Sequence, residues 1–484
     1  MYSETPKLQP ITSAYHIRIL SHEQLDQFKG ATLEILADVG IQCPSEQAMN
    51  IYAEHGAEVD FDSQIVKLPP DVVLNSLSHA PRYYTMGARL PAFDLELDGS
   101  TMYCATDGSG TETIDFVTRE RRSSVKDDVA KTARLADYLP SMAFYWPMVS
   151  AQDHPATAPL HELDASFNNT VKHVQTETVM GEKSARYAIE MAQVIAGDEA
   201  TLRARPPLSL LVCTIAPLAH DKDGMESALA FAEAGLPVGF MSMATAGSTA
   251  PATINGTIVV ADAEMVSAMV LIQMAHPGAP IYHSMMPGVM HPQTGAFLGG
   301  AWKAGLFYPI GVELAHMWGV PTLAGIGTEA PAPNWESAVG LAAGTWLCAL
   351  CGAETASGLG LRETCTLLYP EALVLDVESY YTALDFAASW DTPPETFALD
   401  VIKEIGPRGH FLAHKHTREQ MHKWELSELI NRPDGKGGYR DPIEMAREKT
   451  EWILENHHPQ PLEDAQQAEL TRILGAAEDE LRGR

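Results

Sequence analysis

The stretch GIGTEAPAPNWESAVG, residues 325–340, combines two kinds of side chain that can hold a cation. It follows the apolar run VPTL and contains Glu329, Trp335 and Glu336 among prolines that stiffen the loop. A quaternary ammonium group has no N–H to donate, so it is bound by aromatic faces and by negative surroundings. The loop therefore predicts a site for a permanently charged nitrogen.

Basic residues are scarce in the same part of the chain. Residues 224–402 contain only Lys303 and Arg362 against sixteen Asp and Glu, and the whole chain has a net charge of −30. This charge repels phosphates, so nucleic acid and anionic membrane surfaces are not expected partners. A Schiff-base lysine is also disfavoured, because Lys303 falls outside the strand-like runs. A cavity built from these residues would favour a cationic ligand.

Eight short β-rich runs recur from residue 101 onward, with helical stretches between several of them. They cover residues 101–106, 142–148, 172–178, 208–214, 237–243, 279–285, 320–326 and 354–360. This rhythm predicts an α/β fold, a (β/α)₈ TIM barrel. A doubly wound sheet is the alternative, but the GxGxxG fingerprint after a strand is missing. We place an N-terminal helical cap at residues 1–100, the barrel at 101–440 and C-terminal helices at 441–484.

Reacting groups in a (β/α)₈ barrel sit where strands end and the following loops begin. That rule selects Asp107, Ser109, Trp146, Thr176, Glu177, Thr214, Thr245, His283, Glu329, Trp335 and Arg362. Aromatic residues near the same end add two candidates, Tyr282 and Phe297. Most aromatic residues of such a barrel belong to its core, so each is a candidate and not an assignment.

The histidines and cysteines do not form a recognisable metal set. His283 and His291 are the best-spaced pair, but they lack an HxH arrangement on a strand with an Asp partner. Cys348 and Cys351 form a CxxC inside an apolar helical pattern, which indicates buried small side chains. We expect no bound metal and no permanently bound cofactor.

The ends and the apolar segments indicate where the protein acts. The sequence MYSETPKLQP lacks the basic and apolar regions of a secretory signal. The most apolar window, residues 257–275, is broken by Asp262 and Glu264. A cytoplasmic protein without a membrane span is expected.

Several long stretches carry a family likeness. The run APLAHDKDGMESALAFAEAGLPVGFMSMATAGSTAPATINGTIVVADAEMVSAMVLIQMAHPGAPIY resembles the core of the trimethylamine methyltransferase family, and GPRGHFLAHKHT resembles its C-terminal signature. GIQCPSEQAMNIYAEHGAEVD and KLPPDVVLNSLSHAPR are similar to its N-terminal part, so the likeness covers nearly the whole chain. The family fold is a (β/α)₈ barrel, in agreement with the strand count.

The resemblance implies an activity. Members of the family move a methyl group from an amine to the cobalt of a separate corrinoid protein, and those that use trimethylamine carry pyrrolysine. This sequence has only the twenty common residues, so it resembles the branch that includes glycine betaine methyltransferases. The implied substrate is a quaternary amine, glycine betaine first and proline betaine or carnitine as alternatives. The implied partner is a cognate corrinoid (cobalamin) protein, and a homo-oligomer is expected.

A quaternary substrate requires little chemical activation by the protein. A neutral tertiary amine leaves readily, so the chain need only orient one N-methyl group and exclude water. No covalent nucleophile is expected, and Glu329 is the candidate for any direct catalytic part. The expected substrate-binding residues are Trp146, Tyr282, His283, His291, Phe297, Trp335 and Arg362.

Arg362 is expected to bind the carboxylate of a betaine, with His283 and His291 as neutral donors. Its alternative role is a salt bridge to Glu363 or Glu371 on the rim. Two other functions also fit the sequence. One is corrinoid-independent methyl transfer from a betaine or sulfonium donor to an acceptor such as tetrahydrofolate, and the other is a betaine-binding protein without catalysis.

Overall fold

Eight parallel strands form the centre of the protein. The computed structural model describes residues 7–300, 302–424 and 426–481, with only the backbone described at 302 and 303. The strands are β1 (Thr101–Thr106), β2 (Met142–Tyr145), β3 (His173–Thr176), β4 (Leu208–Cys213), β5 (Val238–Ser242), β6 (Ile281–Met285), β7 (Leu323–Gly325) and β8 (Thr355–Leu359). Each lies within one of the eight predicted runs, and the (β/α)₈ prediction is confirmed.

The strands close into a nearly complete cylinder. β1 pairs with both β2 and β8, and the order runs β6, β5, β4, β3, β2, β1, β8, β7. β6 and β7 meet through a parallel bridge between His283 and Thr322. The N–H of His283 donates to Pro321 O at 3.0 Å, and Ser284 Oγ donates to Leu323 O at 2.9 Å. Closure leaves the main sheet without a free edge.

Helices surround this barrel and extend from it at both ends of the chain. They are α1 (His22–Asp38), α2 (Glu46–Glu54), α3 (Pro70–Leu77), α4 (Lys126–Tyr138), α5 (Ala158–Asn169), α6 (Glu182–Ala196), α7 (Glu199–Ala204), α8 (Lys222–Glu233), α9 (Ile254–Ala275), α10 (Phe307–Trp318), α11 (Trp335–Cys351), α12 (Ala372–Ala387), α13 (Leu399–Ile405), α14 (Lys415–Met421), α15 (Pro442–Asn456) and α16 (Asp464–Leu481).

Helix α9 has more buried residues, sixteen, than any other described helix. It is the one described helix long and apolar enough to cross a membrane, and 89% of its apolar window is buried inside the protein. The carboxylate of Asp262 accepts hydrogen bonds from Thr32 Oγ1 of α1 at 2.7 Å and from Trp318 Nε1 of α10 at 3.1 Å. A buried charge is tolerated only with such donors, so α9 is a core helix of the barrel wall.

The N-terminal region covers one side and the bottom of the barrel. Helices α1, α2 and α3 pack on α9. The hairpin of strands Tyr84–Met86 and Leu95–Leu97 lies where β3 and β6 begin. There, His173 Nδ1 bonds to Gly87 O at 2.7 Å and Tyr84 OH donates to Ile281 O at 3.2 Å. This region therefore closes the end of the barrel opposite to the site.

The C-terminal helices pack on the outside of the barrel. On α15, His457 bonds to Asp137 at 2.7 Å, and on α16, Glu480 accepts from Tyr187 at 2.6 Å. The last barrel helix, α12, already ends at Ala387. Residues 388–424 form a separate arm, which the predicted boundary at residue 440 did not distinguish from the barrel.

Two small sheets are built on the mouth, the end of the barrel where β1–β8 finish. One joins the loops after β1 and β8 through strands Glu112–Ile114, Arg121–Ser123, Leu361–Arg362 and Leu367–Leu368. The other joins the loops after β5 and β6 through strands Thr245–Ala246, Gly288–Met290 and Phe297–Leu298. These sheets fix loops that would otherwise be free to move.

Candidate active site

Strand parity decides which side chains enter the barrel. Neighbouring residues of a strand point to opposite faces. His283 points outward, because its Nε2 bonds to Asp262 on α9 at 3.1 Å. Tyr282 therefore points inward, and its OH donates to Gln175 Oε1 at 2.9 Å on the other side of the interior. The same alternation brings Asp107, Trp146 and Glu177 inward at the mouth.

Two carboxylates lie together at this end. Asp107 follows β1 and is buried, and its Oδ1 accepts from Gly108 N–H at 3.0 Å. Burial, and to a smaller extent the negative charge of Glu177, raise the pKa of Asp107 to about 7. Burial also raises the pKa of Glu177. Each carboxyl thus holds its proton more tightly than in water, because burial outweighs the hydrogen bonds to it and, for Asp107, the positive charge of Arg362.

The main donors to these carboxylates are thiols. Cys213 Sγ, at the end of β4, donates to Glu177 Oε1 at 3.1 Å, and Ser109 also bonds to Glu177. Cys365 bonds to Asp107. Burial and the adjacent carboxylates raise the pKa of both thiols well above the usual range. Both cysteines are thus neutral S–H donors, which hold the carboxylates without cancelling their charge.

An indole face completes the acidic pair. Trp146 follows β2 and is buried, and Thr106 Oγ1 donates to its backbone oxygen at 2.6 Å. Its ring lies directly on Gly108, where a Cβ atom would come within 2.1 Å of the ring. Glycine at position 108 is therefore required for the indole to lie beside Asp107.

Two buried N–H donors at this level have no partner among the described residues. They are Trp146 Nε1 and Gln175 Nε2. Phe144 pairs with His173 and Tyr145 with Val174, so Trp146 and Gln175 come next on neighbouring strands and both point inward. An unsatisfied buried donor costs about 1–3 kcal/mol. A ligand with an acceptor group would remove this cost.

The loops that carry Cys365 and Ser109 have a strained backbone. Ser109 has φ 71°, and Glu363, Thr364 and Cys365 have φ 52°, 55° and 65° in succession. Non-glycine residues adopt this left-handed conformation at a cost and concentrate at functional sites. In this conformation, Cys365 of the loop after β8 lies against Asp107, which follows β1.

Three predicted site residues lie near the mouth with structural partners. Tyr282 is buried in the barrel interior and covers Gly239. Phe297 covers Gly288 in the small sheet after β6. His291 lies at the turn of the same hairpin, where its Nδ1 accepts from the N–H groups of Gln293 and Thr294 at 3.3 Å. Of these three, only Tyr282 adjoins the residues at the mouth.

Glu329 holds the loop after β6 in place. Its Oε1 accepts from Gly300 N–H at 2.7 Å and from Gly299 N–H, while Tyr308 OH donates to the carbonyl of Gly299. The carboxylate is committed to backbone donors. This is the geometry of a positioning residue and does not support a direct catalytic part.

The structure does not support three of the predicted contacts. His283 lies outside the barrel wall, between α9 and α10. Arg362 is fully buried in a two-pronged ion pair with Asp376, at 2.9 and 2.6 Å, so it forms neither the expected substrate contact nor the rim salt bridge. Trp335 is 74% exposed because it occupies the first turn of α11, which Asn334 caps. Of the three, Arg362 is close enough for its charge to lower the pKa of Asp107.

Lys172 is buried, and a buried lysine can carry out imine chemistry. Burial lowers the pKa of Lys172 to about 8. Its Nζ donates to the carbonyls of Ala136, Leu139 and Met142 at 2.6–2.8 Å. Lys172 precedes β3, at the bottom of the barrel. It therefore ties α4 to the sheet and lies at the opposite end from the site.

A possible ligand set for a metal exists on the outer surface. Potential ligand atoms of His154, His161 and Glu478 lie within 4.8 Å of one another. However, the two imidazoles are stacked at 3.6 Å with nearly parallel planes. Their nitrogen lone pairs then point in parallel directions and do not converge on one ion. This cluster ties α16 to α5 and is separate from the mouth.

Comparison with known proteins identifies the family of the chain. The family described as trimethylamine methyltransferase (MTTB) matches residues 3–480. The chain belongs to this family. It is 31% identical to the trimethylamine methyltransferase MttB of Desulfitobacterium hafniense, over 95% of this chain and 94% of that protein. It is 27% identical to the glycine betaine methyltransferase of D. hafniense strain Y51, over 94% and 96%.

A solved structure of the same fold is the monomethylamine methyltransferase MtmB of Methanosarcina barkeri. It aligns with a TM-score of 0.53 over 91% of this chain and 88% of that one, at 12% identity. At this identity the likeness concerns the fold alone. The TIM-barrel assignment thus has support from the sequence, the strand pairing and a solved structure of a methyltransferase.

Removing one partner of the Arg362–Asp376 pair tests its structural role. We expect Arg362→Met to lower the free energy of unfolding by about 3–5 kcal/mol, because Asp376 is left buried and unpaired. The double variant Arg362→Met/Asp376→Leu is expected to recover most of this loss. Urea unfolding measures both. Equal destabilisation by the single and double variants would contradict the pairing.

Proposed function

We propose that this protein removes a methyl group from a quaternary amine that also carries a carboxylate, with a betaine as the best fit, and delivers it to the Co(I) of a separate corrinoid protein. The observation that carries the proposal is the pair Asp107 and Glu177 at the mouth, held by thiols beside the face of Trp146. The proposal is also supported by membership of a methyltransferase family with a glycine betaine relative.

The acidic pair and the indole suit a permanent cation. A quaternary ammonium binds an aromatic face and negative charge, and it needs no hydrogen-bond acceptor. Neither Asp107 nor Glu177 forms an ion pair among the described residues, whereas the buried Asp376 and Asp128 are both paired with arginine. Neither carboxyl is thus neutralised by a direct ion pair, so each leaves negative charge at the site when it is ionised.

The unpaired donors suit the other end of a betaine. Trp146 Nε1 and Gln175 Nε2 are neutral N–H donors that lack partners, on adjacent strands. A carboxylate could accept from both without an arginine, and Arg362 is not needed for this purpose. A zwitterion then satisfies both the charge of the carboxyl pair and the donors beside it.

Such a substrate needs orientation more than activation. The leaving group of a quaternary ammonium is a neutral tertiary amine, so no residue must protonate it. The corrinoid supplies the cobalt nucleophile when the partner docks. This chain's residues bind the ammonium, direct one N-methyl toward the mouth and exclude water.

The rim of the mouth offers an apolar surface for a docked partner. Exposed apolar side chains follow four successive strands: Met180, Ile215, Met243 and Leu306. Exposed apolar groups that surround a functional opening are typical of interaction sites. A corrinoid protein seated on this rim would bring its cofactor over the substrate.

The assay that tests the function uses the purified protein with a reduced corrinoid protein. We expect methylation of cobalt, followed by its absorbance spectrum, with glycine betaine, proline betaine or carnitine, and none with trimethylamine. Formation of the demethylated amine in equal amount is the second readout. Methyl transfer to tetrahydrofolate without corrinoid, or saturable betaine binding without any turnover, would each refute the proposed reaction.

Ligand affinity is expected to depend on pH through Asp107. Its pKa of about 7 in the free protein falls when a cation binds, because the cation favours the carboxylate. Binding therefore releases protons, and affinity rises as pH rises toward 7 and levels off above it, by about tenfold in total per unit of pKa shift. Calorimetry in buffers of different ionisation enthalpy measures the proton release.

The variant Asp107→Asn is expected to bind betaine more weakly and to lose most of this pH dependence. The matched control is Glu363→Gln, which removes a carboxylate from the rim, where Glu363 pairs with Arg121. If the control and Asp107→Asn change the pH profile equally, the effect comes from overall charge and not from the buried site.

The indole N–H can be tested apart from the ring face. We expect Trp146→Phe to weaken glycine betaine binding by about tenfold or more, because a donor to a charged carboxylate is lost. Binding of choline, a quaternary amine without a carboxylate, is expected to change far less, because an aromatic face remains. An equal loss for both ligands would place the carboxylate elsewhere.

A further inference from the structure

A third carboxyl lies behind the mouth, on α5. Glu162 is 2% exposed, and its Oε1 accepts hydrogen bonds from Ser150 Oγ at 2.8 Å and from Ala151 N–H at 3.1 Å. Its Oε2 accepts from Thr178 Oγ1 at 2.6 Å. Ser150 and Ala151 belong to the loop after β2, and Thr178 belongs to the loop after β3. One side chain of a barrel helix therefore joins two neighbouring loops of the mouth.

Thr178 links this carboxyl to the acidic pair. It directly follows Glu177 in the chain, so its bond to Glu162 holds the backbone next to the Glu177 side chain. The Glu177 carboxyl itself receives hydrogen bonds from Cys213 and Ser109. The position of Glu177 thus depends on its own donors and, through Thr178, on Glu162.

Ser150 extends the connection to the loop after β1. Its N–H donates to Gly110 O at 2.8 Å, and Gly110 N–H donates to Met148 O at 2.9 Å. Gly110 lies three residues after Asp107, and Met148 lies two residues after Trp146. Hydrogen bonds therefore connect Glu162 with all three loops that form the proposed cation site.

Stability alone does not account for a carboxyl at position 162. Among the residues that the structure describes, no basic side chain forms an ion pair with Glu162, whereas Asp128 and Asp376 are both paired with arginine. A glutamine could satisfy the same three donors, because hydroxyl groups can also accept. An unpaired buried charge is costly, and local costs of this kind are typical of functional sites.

The charge of Glu162 acts on the acidic pair. Burial and, to a smaller extent, the negative charge of Glu162 raise the pKa of Glu177, and the charge of Glu177 in turn contributes to the raised pKa of Asp107. Arg362 acts in the opposite direction on Asp107. The titratable groups of β2, β4, β6, α10 and the loop after β8 that interact with these carboxyls are Tyr145, Cys213, Tyr282, Tyr308, Arg362 and Cys365.

We propose that Glu162 is a positioning residue for the acidic pair, which holds the loops after β2 and β3 together and places a negative charge behind Glu177. This inference rests on the proposed function, for which it assigns a further residue. Glu162 makes no contact with the substrate, because its three hydrogen bonds occupy both of its oxygens. It acts through Glu177 and through the loops.

Infrared titration of the free protein tests the charge without any ligand. The band of the protonated Glu177 carboxyl is assigned by its absence in Glu177→Gln. We expect this band to disappear at a lower pH in Glu162→Gln than in the unaltered protein, because a negative charge that opposes ionisation is removed. Glutamine retains an acceptor for Ser150 and Ala151 and can donate to Thr178, so the loops are expected to stay in place.

The matched control is Glu264→Gln. Glu264 on α9 is also buried, and it accepts from Thr214 Oγ1, Ser242 Oγ and Leu218 N–H at 2.6–2.8 Å. It therefore has the same kinds of donor as Glu162, but its charge is not among the causes that raise the pKa of Glu177. We expect the Glu177 band of this variant to titrate as in the unaltered protein.

Affinity for glycine betaine separates positioning from charge. We expect Glu162→Ala to weaken binding by about tenfold or more, because three hydrogen bonds that hold the loops are lost. Glu162→Gln is expected to retain most of its affinity where the acidic pair is fully ionised, and to lower the pH at which affinity levels off. Thr178→Val removes one of the three bonds, is expected to lie between these variants, and replaces Glu162→Ala if that variant does not fold.

Three results would overturn the inference: an unchanged Glu177 titration in Glu162→Gln, an equal shift in Glu264→Gln, or unaltered betaine affinity in both Glu162→Ala and Thr178→Val. Failure of the proposed function is a different result. It would appear as a lack of betaine binding or turnover in the unaltered protein, and the infrared titration would still decide whether Glu162 acts on Glu177.

Discussion

A carboxylate that leaves water must find compensating donors or keep its proton, and this constraint organises the whole structure. In the barrel wall the compensation is full: Asp262 receives three side-chain donors, and Asp376 receives a guanidinium. At the mouth it is partial, because Asp107 and Glu177 receive mainly thiol, hydroxyl and backbone donors. This difference in compensation distinguishes the carboxylates of the barrel wall, which stabilise the fold, from the two carboxyls at the mouth.

The fold was readable from the sequence because parallel barrel strands are buried on both faces. Such strands appear as short continuous apolar runs, and helices of crossover length separate them. All eight strands lie within the predicted runs, including β7, which has only three residues. The small sheets of the mouth could not be predicted in this way. Their strands have two or three residues each, and they form because closure of the barrel brings distant loops together.

The sequence predicted which strand ends form the site, but it did not predict the direction in which their side chains point. The strand-end rule selected Asp107, Trp146 and Glu177, which the structure brings together. The preferred contacts, however, were chosen by chemical type, and type does not determine orientation. His283 differs from Tyr282 by one position and points to the opposite face. Cys213 and Cys365 were missed, since a cysteine carries no local sign that its partner will be a carboxylate.

Thiols are weak hydrogen-bond donors, and this weakness affects the charge that Asp107 and Glu177 can carry. An arginine beside Asp107 would form a closed ion pair, as Arg362 does with Asp376, and would leave no net charge for a cation. A protonated thiol fixes the position of a carboxylate while its negative charge is retained. Burial raises the pKa of both carboxyls, which favours their protonated forms while no ligand is bound. Under the proposed function, a bound quaternary nitrogen favours the ionised carboxylates, so the negative charge of the pair increases when the ligand binds.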